Sequence, residues 1–309
     1  MAAVDTHQHL WSESLWEVLA CRNEAPFVRR QGDRWTLHLA AEPACLMPGP
    51  EDPRDRASLL DRDGVDFAVV APSTALGAEW LPREEAEELW AAHRVGVRAA
   101  GQRFRRWGSI SLLDPDPADL DAELRAGAVG LCLPAGALAS GHDVDRLGPV
   151  LEHLERAGAP LFIHPGPSGA DVASASEARW SAEPWWWPGL TDYVATMQRA
   201  WFAWGARGRR EFPELRVLFA MLGGLAPLQA ERLAARGAGR LAARLIADQH
   251  TWYETSSYGP HAHAAVAAVV GDDRLVHGSD RPVVDGDLPS AVAPAHANEH
   301  AHALLGKAA

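Results

Sequence analysis

Cysteine is scarce: three residues in 309, at Cys21, Cys45 and Cys132. The number is odd and no pair has Cys-x-x-Cys spacing. Neither a disulfide framework nor a thiolate zinc cluster is expected to hold the fold. No apolar run approaches the ~20 residues that span a bilayer. Basic residues are outnumbered, with a formal net charge of −12. Such a chain repels phosphate backbones and anionic membrane surfaces, so no nucleic-acid or membrane partner is expected. The opening residues MAAVDTHQHLW contain neither a basic stretch nor an apolar signal core. No secretory leader is expected, which leaves the cytoplasm as the default location. Aromatic residues are few at 7%, yet 13 residues are tryptophan. Their clustering therefore carries information.

What is present is a chain long enough to bury roughly 75% of its unfolded surface without staples. Short apolar runs alternate with helical patterns. Eight runs read as strands: 3–6, leading into His7; 65–71; 107–113; 128–133; 160–163, leading into His164; 215–222; 251–255; and 274–277, leading into Gly278. Continuous apolar runs suit parallel strands buried on both faces. Helices are expected over 82–100, 116–125, 143–157, 190–210, 226–247, 262–270 and 289–305. Eight strand–helix units predict a single (β/α)8 TIM barrel over residues 1–309. Residues 12–55 and 165–188 break the rhythm. They read as long loops after strands one and five, at the face where barrel active sites lie. Cys132, Trp201 and Trp204 read as core.

Three strand ends carry chemistry. In an extended strand, His7 and His9 point to the same side and can grip one divalent ion. His164 closes the fifth strand before Pro165-Gly166. Asp280 follows the eighth strand behind Gly278 and Ser279, small residues that leave space beside it. Each residue alone has a bland reading: a solvated terminal histidine, a hydrogen-bonded strand-end histidine, a turn aspartate. In a closed barrel all three ends share one mouth, and a single site explains them together. Three imidazoles and a carboxylate suit one zinc ion, with manganese or iron as alternatives. No lysine on strand four is available to bridge a second ion. His277 has the wrong parity for the mouth and reads as structural. His296, His300 and His302 read as a solvated helix face, while His261 and His263 are candidate pocket residues.

The motifs Asp-Thr-His-Gln-His-Leu-Trp, Phe-Ile-His-Pro-Gly, Met-Leu-Gly-Gly-Leu-Ala-Pro and His-Gly-Ser-Asp-Arg-Pro, in that order, resemble those of the amidohydrolase-related family. This branch includes sugar-acid and pyrone dicarboxylate lactonases and carboxymuconate-semialdehyde-type decarboxylases. The resemblance implies metal ligation by His7, His9 and His164, with Asp280 as ligand and proton acceptor. It leans toward a homodimer. It departs at Met221, where family members usually carry a histidine before Leu-Gly-Gly. A thioether is a weak ligand and no base. Either Asp280 works alone, which is the favoured reading, or Glu254 or a loop histidine compensates, or ordinary turnover has been lost.

The expected activity is hydrolysis of a lactone, ester or amide of a small organic acid, by a metal-bound water that Asp280 deprotonates. The alternatives are a metal-dependent nonoxidative decarboxylase and a non-catalytic binding barrel. Trp11, Arg179, Trp186 and Arg281 are the expected contacts to a carboxylated or aromatic small molecule.

Overall fold

The computed structural model describes residues 2–174, 184, 186–284 and 294–306. Eight parallel strands form one sheet in sequence order. They are β1 (Val4–Gln8), β2 (Phe67–Val70), β3 (Phe104–Gly108), β4 (Ala128–Pro134), β5 (Leu161–His164), β6 (Val217–Phe219), β7 (Thr251–Glu254) and β8 (Leu275–Val276). The sheet closes where the chain beyond β8 runs beside β1. The amide and hydroxyl of Thr6 donate to the His277 carbonyl at 2.9 and 2.8 Å, and the Asp280 amide donates to the His7 carbonyl at 2.9 Å. A parallel bridge between Gln8 and Arg281 continues the seam. The expected (β/α)8 barrel is thus present. Its strands are buried along their length because helices cover the outside and side chains fill the inside.

Local sequence explains the helix ends. Asp52 and Asp116 cap helices Pro53–Asp63 and Pro117–Arg125, each with proline in the first turn. Helix Gly148–Ala157 stops at Gly158, whose φ of 62° gives the left-handed C-cap. The expected helices 190–210 and 226–247 are each interrupted. A wide turn at Trp204–Gly208 follows helix Asp192–Ala203, and another at Ala234–Ala238 precedes helix Gly239–Ile246. Gly205 sits where Leu245 of the second helix presses against it, so close packing tolerates no side chain there. Trp201, Trp204 and Cys132 are buried, as expected of core.

Two expectations need correction. The third strand spans Phe104–Gly108, not 107–113. Residues 109–112 are buried, but the Leu112 amide bonds to the Glu79 carbonyl in the loop after β2 instead of extending a ladder. An apolar run reports burial, which loops over a barrel mouth can share. The stretch after β1 is also more than a loop. It holds helix Glu13–Cys21, a three-stranded antiparallel sheet and helix Pro53–Asp63. The sheet pairs Phe27–Gln31 with Arg34–His38, and the latter with Cys45–Met47. Its first hairpin turns on Gly32-Asp33, with Gly32 at φ 67°. That two-residue signal was readable in the sequence.

Candidate metal centre

Strand β1 and the residue after it set His7 and His9 on one side, as strand alternation requires. The Nε2 atoms of His7 and His9 stand 3.2 Å apart, and that of His9 stands 3.2 Å from that of His164. Asp280 Oδ1 lies 3.4 Å from His7 Nε2 and 3.2 Å from His9 Nε2. One ligand atom from each of the four residues falls within 4.8 Å of every other. The structure therefore brings His7, His9, His164 and Asp280 together.

These residues fit a divalent ion on three counts. Ligands about 2.0–2.1 Å from a tetrahedral ion are separated by about 3.3 Å, close to the spacings here. Asp280 Oδ1 is buried without a hydrogen-bond partner, an arrangement that costs energy unless a cation faces it. Each imidazole is also anchored through Nδ1. His7 Nδ1 bonds Glu254 at 3.1 Å, His9 Nδ1 the Ala71 carbonyl at 3.0 Å, and His164 Nδ1 the Pro165 carbonyl at 2.7 Å with Thr74 Oγ1 also at 2.7 Å. With its proton on Nδ1, each ring turns an Nε2 lone pair inward.

The surroundings act on the rings in opposite senses. Burial lowers the His7 pKa, but Asp280 and then Glu254 and Asp5 outweigh it and raise the value. His164 is held well below the ordinary range by burial, reinforced by His7 and His9. Backbone strain collects at the same mouth. Asp280 sits at φ 54°, and Met221 and Leu222, just beyond β6, at 42° and 51°.

Glu254, at the end of β7, is fully buried and faces the metal cluster from behind. It accepts from His7 Nδ1, Ser256 Oγ at 2.8 Å, the Met221 amide at 3.2 Å, and the Ser256 amide. It therefore orients His7 from behind. A side chain at Gly278 would collide with the Glu254 carboxylate. Gly278 makes room for the Glu254 side chain. Thr74, Ala71 and the orienting role of Glu254 were not foreseen, because no motif marks a group that acts through another.

The expected substrate contacts scatter. Trp11 is buried edge-on to Trp16, with ring centroids 6.2 Å apart, in a cluster under helix Arg83–Ala100. The Arg281 guanidinium is paired with Asp63 of the outer helix Pro53–Asp63. Both positions follow from packing demands that local sequence does not reveal. Arg179 and Trp185 lie outside the described residues. Trp186 and Trp187 are 43% and 38% exposed and tilt against each other at 5.8 Å. His263 bonds the Thr255 carbonyl and His261 is exposed, while His300 and His302 bond the carbonyls of Leu275 and Ala2. A cavity is lined by Ala41 and Glu42 from the loop after β1, Gly166, Pro167 and Asp171 from the loop after β5, and Asp192, Tyr193 and Arg199 of the next helix.

Behind His9, the buried His93 has its pKa pushed down to about 3, by burial first and then by Arg106, His9 and Arg94. The unfolded chain therefore takes up a proton that the native state refuses between about pH 6.5 and 3. This contribution to stability is complete above about 6.5 and is lost as pH falls through that window. Urea unfolding is expected to show native stability falling steeply towards about pH 5. His93→Gln should flatten that slope, and an unchanged slope would refute the assignment.

The fold and centre define a class: a (β/α)8 barrel built to hold a divalent ion at the C-terminal ends of its strands. The chain belongs to the amidohydrolase family, whose model matches residues 4–305. No curated protein sequence matches it. Among solved structures, it is similar to the 5-carboxyvanillate decarboxylase LigW of Sphingomonas paucimobilis at 18% identity, covering 98% of each chain with a TM-score of 0.68. It is similar to a 2,6-dihydroxybenzoate decarboxylase complexed with 2,6-dihydroxybenzoate at 16% identity, covering 99% of each chain with a TM-score of 0.70. It is also similar to a dihydroxybenzoic acid decarboxylase of Polaromonas sp. JS666 with bound manganese and 2-nitroresorcinol at 15% identity, covering 98% of this chain and 96% of that one, with a TM-score of 0.64. At these identities the likeness establishes the fold. Among the described residues, no helix is long and apolar enough to cross a membrane.

Proposed function

We propose that the protein is a metal-dependent nonoxidative decarboxylase of a small, carboxylated aromatic acid. The observation that carries this reading is the proton inventory of the centre. Asp280 is a carboxylate at the mouth whose Oδ1 has no hydrogen-bond partner in the protein, whereas Glu254 is engaged behind His7 and Met221 offers no proton. Hydrolysis asks one group to take a proton from the attacking water and then hand it to the leaving group, two transfers that would both fall to Asp280. Decarboxylation asks for one proton, delivered to the carbon that loses its carboxylate. The decarboxylases among the structural neighbours support the same choice.

A divalent ion held by His7, His9, His164 and Asp280 would supply a Lewis acid that fixes a substrate oxygen and withdraws electron density. Manganese, named with one neighbour, and zinc, suited to three imidazoles, both fit the donor set. Asp280 gives its proton to the ring carbon bearing the carboxylate. The bond to the carboxylate then breaks, its electron pair returns to the ring, and carbon dioxide leaves. Asp280 regains a proton from solvent. The Nδ1 anchors keep the imidazoles from turning during this exchange. Arg199 of the cavity, with Arg179, is assigned to the substrate carboxylate.

Lactone, ester or amide hydrolysis is the second reading, because three imidazoles and a carboxylate also suit a hydrolytic zinc site. The test is product analysis with 2,6-dihydroxybenzoate, 5-carboxyvanillate and small aromatic lactones, using the manganese- and zinc-loaded protein. Carbon dioxide and the corresponding phenol are expected. Incorporation of labelled solvent oxygen without carbon dioxide would establish hydrolysis instead.

A further inference from the structure

We propose that Tyr193, positioned by Glu42, is a substrate-facing hydrogen-bond donor that reads an oxygen of the bound acid. This rests on the reading above only in placing an oxygenated aromatic acid in the cavity.

Tyr193 and Glu42 come from separate parts of the chain and meet in the cavity wall. Tyr193 opens helix Asp192–Ala203, and Glu42 lies between the second and third strands of the small sheet. The Tyr193 hydroxyl donates to Glu42 Oε1 at 2.5 Å. Both residues line the cavity, as does Gly166, two residues beyond His164. Asp280 helps to raise the Tyr193 pKa, after burial and Glu42, so the hydroxyl sits within the field of the metal centre.

The helix is held there by close contact with the turn beyond β6. A Cβ at Gly224 would lie 2.9 Å from the Val194 carbonyl oxygen, and the Gln198 side chain donates to the Gly224 carbonyl at 2.9 Å. At the start of that turn, Met221 supplies no proton donor. The helix packed on the turn brings one.

Protonation decides which way the pair points. With Glu42 ionised, Tyr193 gives its proton to the carboxylate. With Glu42 neutral, its carboxyl O–H can donate to the Tyr193 oxygen, which frees the phenol O–H for a ligand. Burial first, then Asp192, raises the Glu42 pKa, which settles at about 7 against the opposing bond from Tyr193. The charged and titratable groups around the pair are Asp192 and Arg199 on the same helix as Tyr193, Asp171 from the loop after β5, Cys45 on the small sheet, and Asp280. The donor form is populated below about pH 7 and lost above it.

The probe is 2,6-dihydroxybenzoate, which keeps one ionisation state through the neutral range. Its affinity for manganese-loaded protein is measured by calorimetry against pH, with manganese affinity measured separately by electron paramagnetic resonance. Tyr193→Phe is expected to weaken the probe about tenfold at low pH, the worth of one hydrogen bond, and to leave manganese affinity unchanged. Glu42→Gln should keep binding but abolish the weakening through neutral pH, because an amide N–H donates to Tyr193 at every pH. Probe binding that depends on Tyr193 without turnover would sink the decarboxylase reading and leave this inference standing. Turnover or binding unaffected by Tyr193→Phe, or no probe binding to the wild-type protein, overturns it.

Discussion

Replacing Asp280 with asparagine is expected to cut turnover by about 10²–10⁴ while the protein keeps its fold and most of its metal. Asp280 sits at φ 54°, and asparagine tolerates this left-handed conformation as well as aspartate does. The amide oxygen can still face the ion, so three imidazoles and a neutral oxygen remain. What disappears is the carboxyl group beside His7 and His9 that could pass on a proton. The measurement is kcat/KM with metal content determined on the same sample. Near wild-type turnover at full metal occupancy would show that the proton comes from elsewhere and would remove Asp280 from both the decarboxylase and hydrolase schemes.

The second large effect lies one layer back. Glu254→Ala removes the acceptor shared by His7 Nδ1, the amides of Met221 and Ser256, and the Ser256 hydroxyl, all in a fully buried place. Each stranded donor costs about 1–3 kcal/mol, partly recovered by water entering the space. A net loss of about 3–5 kcal/mol in urea unfolding is expected. Metal affinity should fall 10–100-fold, because His7 loses the partner that fixes its tautomer and ring angle. Glu254→Gln keeps the shape but sets an N–H against a donor, so it should fall between wild type and alanine. If metal affinity survives alanine while stability drops, Glu254 is a packing anchor only.

Much of this protein is readable along the chain. The eight mainly apolar runs preserve the order and number of barrel strands, because most residues of a strand covered on both faces are apolar. The alternation of an extended strand pairs His7 with His9. The placement of His164 and Asp280 just beyond apolar runs marks them as residues of the mouth. Local chemistry also sets the caps at Asp52, Asp116 and Gly158, where a side chain or a glycine satisfies the helix end within a few residues.

Only the closed barrel decided the rest. Trp11 and Trp186 look alike as aromatic residues near loops, yet Trp11 is buried beneath a helix and Trp186 is half open to solvent. Arg281 adjoins Asp280 in sequence, but its side chain reaches the outer ring to meet Asp63. Glu254 behind His7 and Glu42 beside Tyr193 are joined across 247 and 151 residues. The physical reason is common to all of them. Periodicity along a chain records how much of each residue is hidden from water, which local pattern can carry. Which partner a polar side chain meets depends on how distant segments cross, and that is determined when the sheet curls shut and its loops pack over the opening.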